Sequence, residues 1–378
     1  MYRLAISLIA TLVGAGLSAQ SFAMPSTTHK QLRLFQSAHV DECECEHEGT
    51  SDLHWDDMPE TGDHSRADSH APIGVMGDHM HHAGEFMLGY RFMLMEMRGM
   101  REGTSLIDKE DVLDDYMITP TDGSMAMHMF GFMWAPVDEL TITVMTKVID
   151  RHMDVVTRMG VRDRMHASGL GDTGVALLVR AFDIGSHHLH LNLKVGLPTG
   201  AINKKDTTPM SGGKRVILPY QMQLGTGSVS GTFGFTYTAN WSLLSWGFQP
   251  QLTVQGHRNY RGYRVGNRFQ SDAWVAVAPV RWASVSVRAR YAVWTSIYGR
   301  DIELNKNMTP AADDDNIGAK RIDLGVGLNL YIPKGLLPFG ALDGQRLAFE
   351  FTLPVMQAVN GYQMNAEWAL TVGWQWAF

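Results

Sequence analysis

From Gly84 onward, apolar and polar positions alternate with a period of two, the pattern of strands that meet an apolar medium on one face and a polar one on the other. In EWALTVGWQWAF, Trp368, Leu370, Val372, Trp374, Trp376 and Phe378 share a face, against Glu367, Thr371, Gly373 and Gln375. RIDLGVGLNLYI sets Ile322, Leu324, Val326, Leu328, Leu330 and Ile332 against Arg321, Asp323, Gly325, Gly327 and Asn329. LSWGFQPQLTVQ and SVSVRARYAV repeat the pattern, with Arg288 and Arg290 on the polar side of the second. A soluble sandwich also alternates. Here, however, aromatics gather at strand ends and Arg, Glu, Gln and Gly fill the opposite face, as girdles and a wet lumen require.

These segments are about ten residues long or more, enough to cross a bilayer at a tilt. They fall at 84–98, 124–135, 139–151, 172–184, 187–197, 219–238, 243–256, 267–282, 284–296, 319–331, 346–357 and 365–378. Short links alternate with longer polar loops, and 332–345 is a long link on the short side. The expected fold is all-β, a transmembrane antiparallel β-barrel of about 12 strands with both termini periplasmic.

The segment before it differs. MYRLAISLIATLVGAGLSAQSFA has a basic start, an apolar stretch and a small-x-small site, so 1–23 reads as a signal peptide. Its apolar run of about 14 residues is short for a membrane span of roughly 20. Residues 24–83 form a second unit: Asp41 to Asp63 holds ten acidic residues and no lysine or arginine. With no periodic apolar face it cannot offset its ordering entropy, so flexibility is expected. Residues 84–378 are the barrel. The net charge of -7 leaves no basic footprint for nucleic acid. The two cysteines, Cys43 and Cys45, are too close together for an unstrained disulfide.

Composition adds candidate chemistry. Of 24 methionines, 18 lie between Met24 and Met165. Met87, Met93, Met95 and Met97 share one strand face, and Met125, Met127, Met129 and Met133 share another. A hairpin pairing Met97 with Met125, Met95 with Met127 and Met93 with Met129 would turn them all to the lumen. Thioethers favour Cu(I), while methionine also fills irregular interiors. Cys43, Cys45, His47, His54, His64 and His70, followed by His79, Met80, His81 and His82, form a second set, whose thiolates and imidazoles suit copper or zinc. The three late histidines are expected at the periplasmic mouth. His188, His190 and Lys194 line one face of a strand. With Arg288, Arg290, Arg321, Arg346 and Glu350 they read as lumen polar groups, which either set channel selectivity or pair across a filled interior.

The terminal Phe378 with its alternating aromatics looks like the C-terminal signal of outer-membrane proteins. PIGVMGDHMH, GEFMLGYRFM, KVGLPTG and LPYQMQLGTGS resemble a family of outer-membrane channel-like proteins named for the meta-cleavage pathway of phenol degradation, over about four-fifths of the chain. The resemblance implies a barrel in the outer membrane of a Gram-negative bacterium and a transport role; the Met/His content looks like a metal-associated subgroup. The leading expectation is a non-enzymatic channel that binds or moves copper or another soft metal, with outer-membrane lipid and a periplasmic metal-handling protein as partners. Uptake of small hydrophobic or aromatic solutes is the alternative. A membrane-embedded hydrolase is a third, represented only by Ser168 near His166 and Ser186 beside His187, read as loop neighbours.

Overall fold

The structure, a computed structural model, describes Ala67, residues 69–332 and residues 344–378. The proposed signal sequence, most of the acidic segment including Cys43, Cys45, His47, His54 and His64, and the bulk of the 332–345 link lie outside the described residues. The strands are β1 (Phe86–Gly103), β2 (Ser105–Ile107), β3 (Ile118–Val137), β4 (Leu140–Thr157), β5 (Arg162–Leu170), β6 (Thr173–Ile184), β7 (His187–Leu197), β8 (Lys205–Asp206) and β9 (Val216–Ile217). They continue as β10 (Ser230–Trp241), β11 (Leu244–Gln255), β12 (Tyr263–Arg264), β13 (Arg268–Val280), β14 (Ala283–Trp294), β15 (Tyr298–Gly299), β16 (Ala319–Tyr331) and β17 (Gln345–Ala377). One helix, α1 (Lys109–Asp115), sits between β2 and β3.

Eleven strands close an antiparallel ring in the order β1-β3-β4-β6-β7-β10-β11-β13-β14-β16-β17 and back to β1. The last strand turns at Asn360–Gly361, where Gly361 has φ +55. Its first arm pairs with β16 and its second with β1, so the wall is crossed twelve times, as the alternation predicts. β5 extends the stave of β6, from which Gly171 and Asp172 separate it, beside the far half of β4. One expected strand is displaced: 219–238 begins only at Ser230, and Tyr220–Met222 is a 3-10 turn. Pro219 supplies no N–H to a ladder, and Gly227 at φ +68 breaks the extension.

The links β3–β4, β6–β7, β10–β11 and β13–β14 are tight and share one end of the barrel. Two of them use left-handed residues, Gly185 at φ +57 and Ser242 at φ +54, which the twist of a tight hairpin demands. At the other end, α1, β8–β9, β12–β15 and two further 3-10 turns form a layer of longer loops.

The wall is apolar outside and polar inside. Val275, Val287, Val326 and Phe351 make one cross-strand row on the outer face, between 44% and 59% exposed. The next row, Ala276, Ser286, Gly327 and Glu350, faces inward and is buried. At the short-turn end Phe86 stacks on Trp134 and Phe378, and Phe378 packs on Trp376, giving an aromatic girdle.

The interior is filled from both ends. Residues 69–83, expected within the flexible segment, instead enter at the short-turn end, fold into the lumen and leave at the same end. Ala67 N–H bonds Arg281 O, and at the exit Ala83 N–H bonds the Asp138 carboxylate and Gly84 N–H bonds Ala135 O. At the deepest point, wall side chains capture backbone. Gln249 donates to Met76 O, Thr236 donates to Gly77 O, and Arg290 donates to Gly74 O. With histidine neutral, Asp78 is the one formal charge in 69–83, and the polar lumen satisfies the backbone of this stretch. Those contacts, together with the burial of Ile73 and Val75, explain why it orders despite lacking a periodic face.

The lumen charges pair. Arg288 bonds Glu350 through Nε at 2.9 Å and Asp272 through Nη1 at 2.6 Å, while Arg290 Nε reaches the same Asp272 oxygen at 2.8 Å. Glu350 also accepts the Gly74 N–H at 3.0 Å. Only glycine fits at position 74, since a Cβ there would stand 2.6 Å from Arg288 Nη2 and 2.7 Å from Glu350 Oε1. Arg346 donates to Gln375, Ala71 O and Asn329, and Arg321 pairs with Asp323. Arg288, Arg290, Arg321 and Glu350 thus each have an opposite charge within bonding distance.

Two outcomes follow. Val287→Arg puts a charge on the outer face, and refolding into lipid vesicles should lose about 2–4 kcal/mol of stability; an unchanged urea midpoint would mean that this face does not meet lipid. Glu350→Gln leaves buried Arg288 undercompensated, and its urea midpoint should fall by the equivalent of about 3–5 kcal/mol. Glu303→Gln, which touches a rim pair with Arg261, should change stability by less than about 1 kcal/mol. Equal effects of the two would deny the lumen network a structural role.

Candidate functional site: a methionine-lined cavity

The β1–β3 hairpin turns its methionines inward, as the alternation predicts, and leaves Leu88, Phe130, Phe132 and Trp134 exposed outside. The register differs by two residues from the expected one: Met95 faces Met125, Met93 faces Met127, Met87 faces Met133, and Arg91 faces Met129. Two contacts account for the shift. Met97 lies opposite Gly123, whose missing side chain makes room for the Met364 methyl, 2.8 Å from where a Cβ would stand. Next to that pair, Arg98 pairs with Asp122 at 3.2 Å. A slip of two preserves the face, so the inward direction survives the correction.

The methionines form two groups, not one graded ladder. Met87 and Met133 pack on Leu178 with Met80 near the short-turn end. Met97, Met125 and Met127 pack, farther along, against a core that includes Met100, Met153, Met165, Met222 and Met364. Arg91, buried in the wall, interrupts the run between the two groups.

A cavity of about 260 Å³ opens in the second group. Met95, Met97, Met125, Met153, Met222 and Met364 line it, with Trp294. Among the described residues, its charged lining residues are Arg151, Lys320 and Arg321, and no carboxylate lines it. The loop carrying Met222 folds inward from the long-loop end: Leu218, Met222 and Leu224 are buried, and Arg151 donates to the carbonyls of Gln221 and Gln223. The LPYQM motif is therefore a lid over the cavity, not a strand. Beyond it, neutral tyrosines bind the loops together. Tyr116 donates to Asp313 at 2.9 Å and accepts from Asn316, and burial followed by Asp313 pushes its pKa up to about 12. The Tyr220 hydroxyl accepts the Asp301 N–H, and burial raises its pKa to about 12.

The histidines are not where the sequence places them. His79 and His81 are buried inside the barrel, 7% and 2% exposed, because their segment folds inward instead of ending at the mouth. Only His82 is at the rim, 3.6 Å from Asp138. His190 bonds Gly77 O at 2.9 Å, His188 pairs with Asp183 at 2.7 Å, and Lys194 shares their face. His70 and Asp78 join His79: the two Nδ1 atoms are 3.4 Å apart, and Asp78 Oδ1 is 3.1 Å from His79 Nδ1. His70 stood in the sequence only as one of a scattered set, and Asp78 was missed. No periodicity in 70–79 signals that a loop brings the two ends of this stretch together.

The hydrolase candidates also change meaning. Ser168 and His166 are on β5 rather than a loop, with His166 Nε2 bonded to Asp150 at 3.0 Å and its ring stacked on His152. His187 is engaged by the Tyr237 hydroxyl at 2.7 Å.

No family model matches the chain, and no curated protein matches it. Among solved structures, an outer membrane channel from Pseudomonas putida F1 superimposes with a TM-score of 0.55 at 11% identity, over 80% of this chain and 99% of that one. A FadL homologue from Pseudomonas aeruginosa gives a TM-score of 0.42 at 6% identity, over 84% and 98%. The chain shares the closed antiparallel barrel fold of the Pseudomonas putida outer membrane channel.

Proposed function

We propose that the chain is an outer-membrane channel, with its short turns periplasmic, that passes small organic anions with an apolar body and is closed in this state by two inward-folded segments. The observation that carries this is the cavity: methionine and tryptophan supply a soft apolar surface, while all its charged lining residues are cations. Thioethers adapt to varied apolar shapes, and guanidinium groups pair with carboxylates. At about 260 Å³ the cavity falls just below the roughly 300–1,000 Å³ of drug-sized sites, which favours a compact solute such as a one-ring acid.

A second reading, passage of Cu(I), draws on the directly opposed pairs Met93–Met127 and Met95–Met125. Against it, the positive charges of Arg151, Lys320 and Arg321, the last offset in part by Asp323, oppose a bare cation in the same cavity.

Benzoate flux into proteoliposomes separates the readings. Gly74→Val drives its side chain into Arg288 and Glu350 and should dislodge the inward loop, Leu218→Ser should loosen the lid by placing a hydroxyl at a fully buried position, and the two together should raise flux several-fold over the parent. In that background K320Q/R321Q, which leaves the lid-holding Arg151 in place, should lower benzoate flux about tenfold, the loss of one or two charge-assisted contacts. M93L/M95L/M125L/M127L keeps the apolar volume and should hold benzoate flux within about twofold. Cu(I) flux that exceeds benzoate flux and is abolished by the leucine variant would establish the copper reading instead.

A further inference from the structure

We propose that His70, Asp78 and His79 form a binding site for a borderline divalent cation of the zinc(II) or copper(II) class, a clasp that ties the inward loop to itself. The site is independent of the solute the channel passes. Its donors converge as ligands of one ion do. With metal–ligand bonds of about 2.0–2.1 Å, two atoms sharing a tetrahedral ion stand roughly 3.3 Å apart. The two imidazole Nδ1 atoms are 3.4 Å apart, Asp78 Oδ1 is 3.1 Å from His79 Nδ1, and Asp78 Oδ2 is 4.0 Å from His70 Nδ1.

The donor set chooses the ion. Two imidazoles and one carboxylate, the donors that the described residues bring together, suit zinc(II) and copper(II), not the thioether-seeking Cu(I). All three residues are buried, at 7%, 4% and 7% exposure, so an ion here would be shielded from bulk water. The carboxylate is also held from behind. Asp78 Oδ2 accepts the Ala71 N–H at 3.0 Å, and Ala71 O accepts from Arg346 at 2.6 Å, the kind of outer support that orients a ligand. The positive charges of Arg346 and Arg91 act on Asp78 and oppose a further cation, which weakens binding relative to the same donors without them.

Position in the loop gives the site its consequence. His70 and His79 are the two feet of the turn whose tip, Gly74 to Gly77, is gripped by the wall. An ion joining the feet removes freedom from the released loop, just as any cross-link does. Binding should therefore favour the inserted state.

The test uses the full chain with C43S, C45S, H47Q, H54Q and H64Q, so that the acidic segment contributes fewer donors. Calorimetry with zinc chloride should show one equivalent bound. H70Q/H79Q should weaken it by roughly 100-fold or more, and H152Q/H166Q, which removes the rim histidines around Asp150, should leave it unchanged. Zinc should also slow amide exchange across residues 70–79 in the parent but not in H70Q/H79Q. Should H70Q/H79Q fail to fold, judged by loss of the heat-modifiable barrel band, D78N and copper(II) EPR of the parent decide: two coordinated nitrogens lost or altered in D78N support the site. The proposal is overturned by no zinc binding, by binding that survives H70Q/H79Q, or by binding that only H152Q/H166Q removes.

Discussion

The interaction on which the interior depends is the grip of Arg288, Arg290, Asp272 and Glu350 on the Gly74 backbone. One carboxylate oxygen accepts the Gly74 N–H and one guanidinium donates to its carbonyl, so a single residue of the loop is held by both signs of charge. The charges hold one another as well: Asp272 is shared by two arginines and Arg288 by two carboxylates. In a wide aqueous pore such groups would be solvated and mobile. Here the inserted loop excludes water, which strengthens each pair and makes an unpaired member costly. Loop and charges are therefore mutually dependent, since the loop removes the solvent and the charges bind the loop.

That dependence explains how residues outside the barrel pattern come to be ordered. Ile73 and Val75 are each 1% exposed, yet a two-residue apolar contribution does not by itself order a loop. Gly74 and Gly77 let the backbone approach the wall, and the wall supplies donors at each carbonyl. Ile73 adds shape: its Cδ1 fills the space beside Gly373 that any larger residue there would occupy. A polar lumen receives a neutral backbone here because nearly every lumen group that meets it can form a hydrogen bond.

The strands were legible because lipid and lumen impose opposite demands on successive residues, and SVSVRARYAV carries both in its spelling. The inward direction of Met93, Met95, Met127 and Met129 was legible for the same reason. Their register was not. Slips of two residues leave the alternation intact, and what chose between them was a glycine, Gly123, opposite Met97 and under Met364, a contact between segments far apart in sequence. LPYQM was misread as strand because its apolar residues alternate; Pro219 and Gly227 were the signal to the contrary. The inward loop was invisible for a deeper reason. Periodicity reports elements that bury one face, while this loop is held through its backbone, which sequence does not encode.

The two closures differ in what their opening exposes. The lid from Leu218 to Leu224 covers methionine and leucine side chains, and moving it uncovers apolar surface at about 25 cal/mol per Å². The loop from Ala71 to Asp78 covers charged and hydrogen-bonding groups, which water entering the lumen would solvate as the loop leaves, so much of what is broken is replaced. Cooperative hydrogen bonds of this kind make a latch that is firm when dry and weak when wet. In the channel proposed above, the short-turn end is therefore the better gate and the long-loop end the better wall. The methionine cavity lies on the wall side of that gate, under the lid, where a solute would be retained until the loop moves.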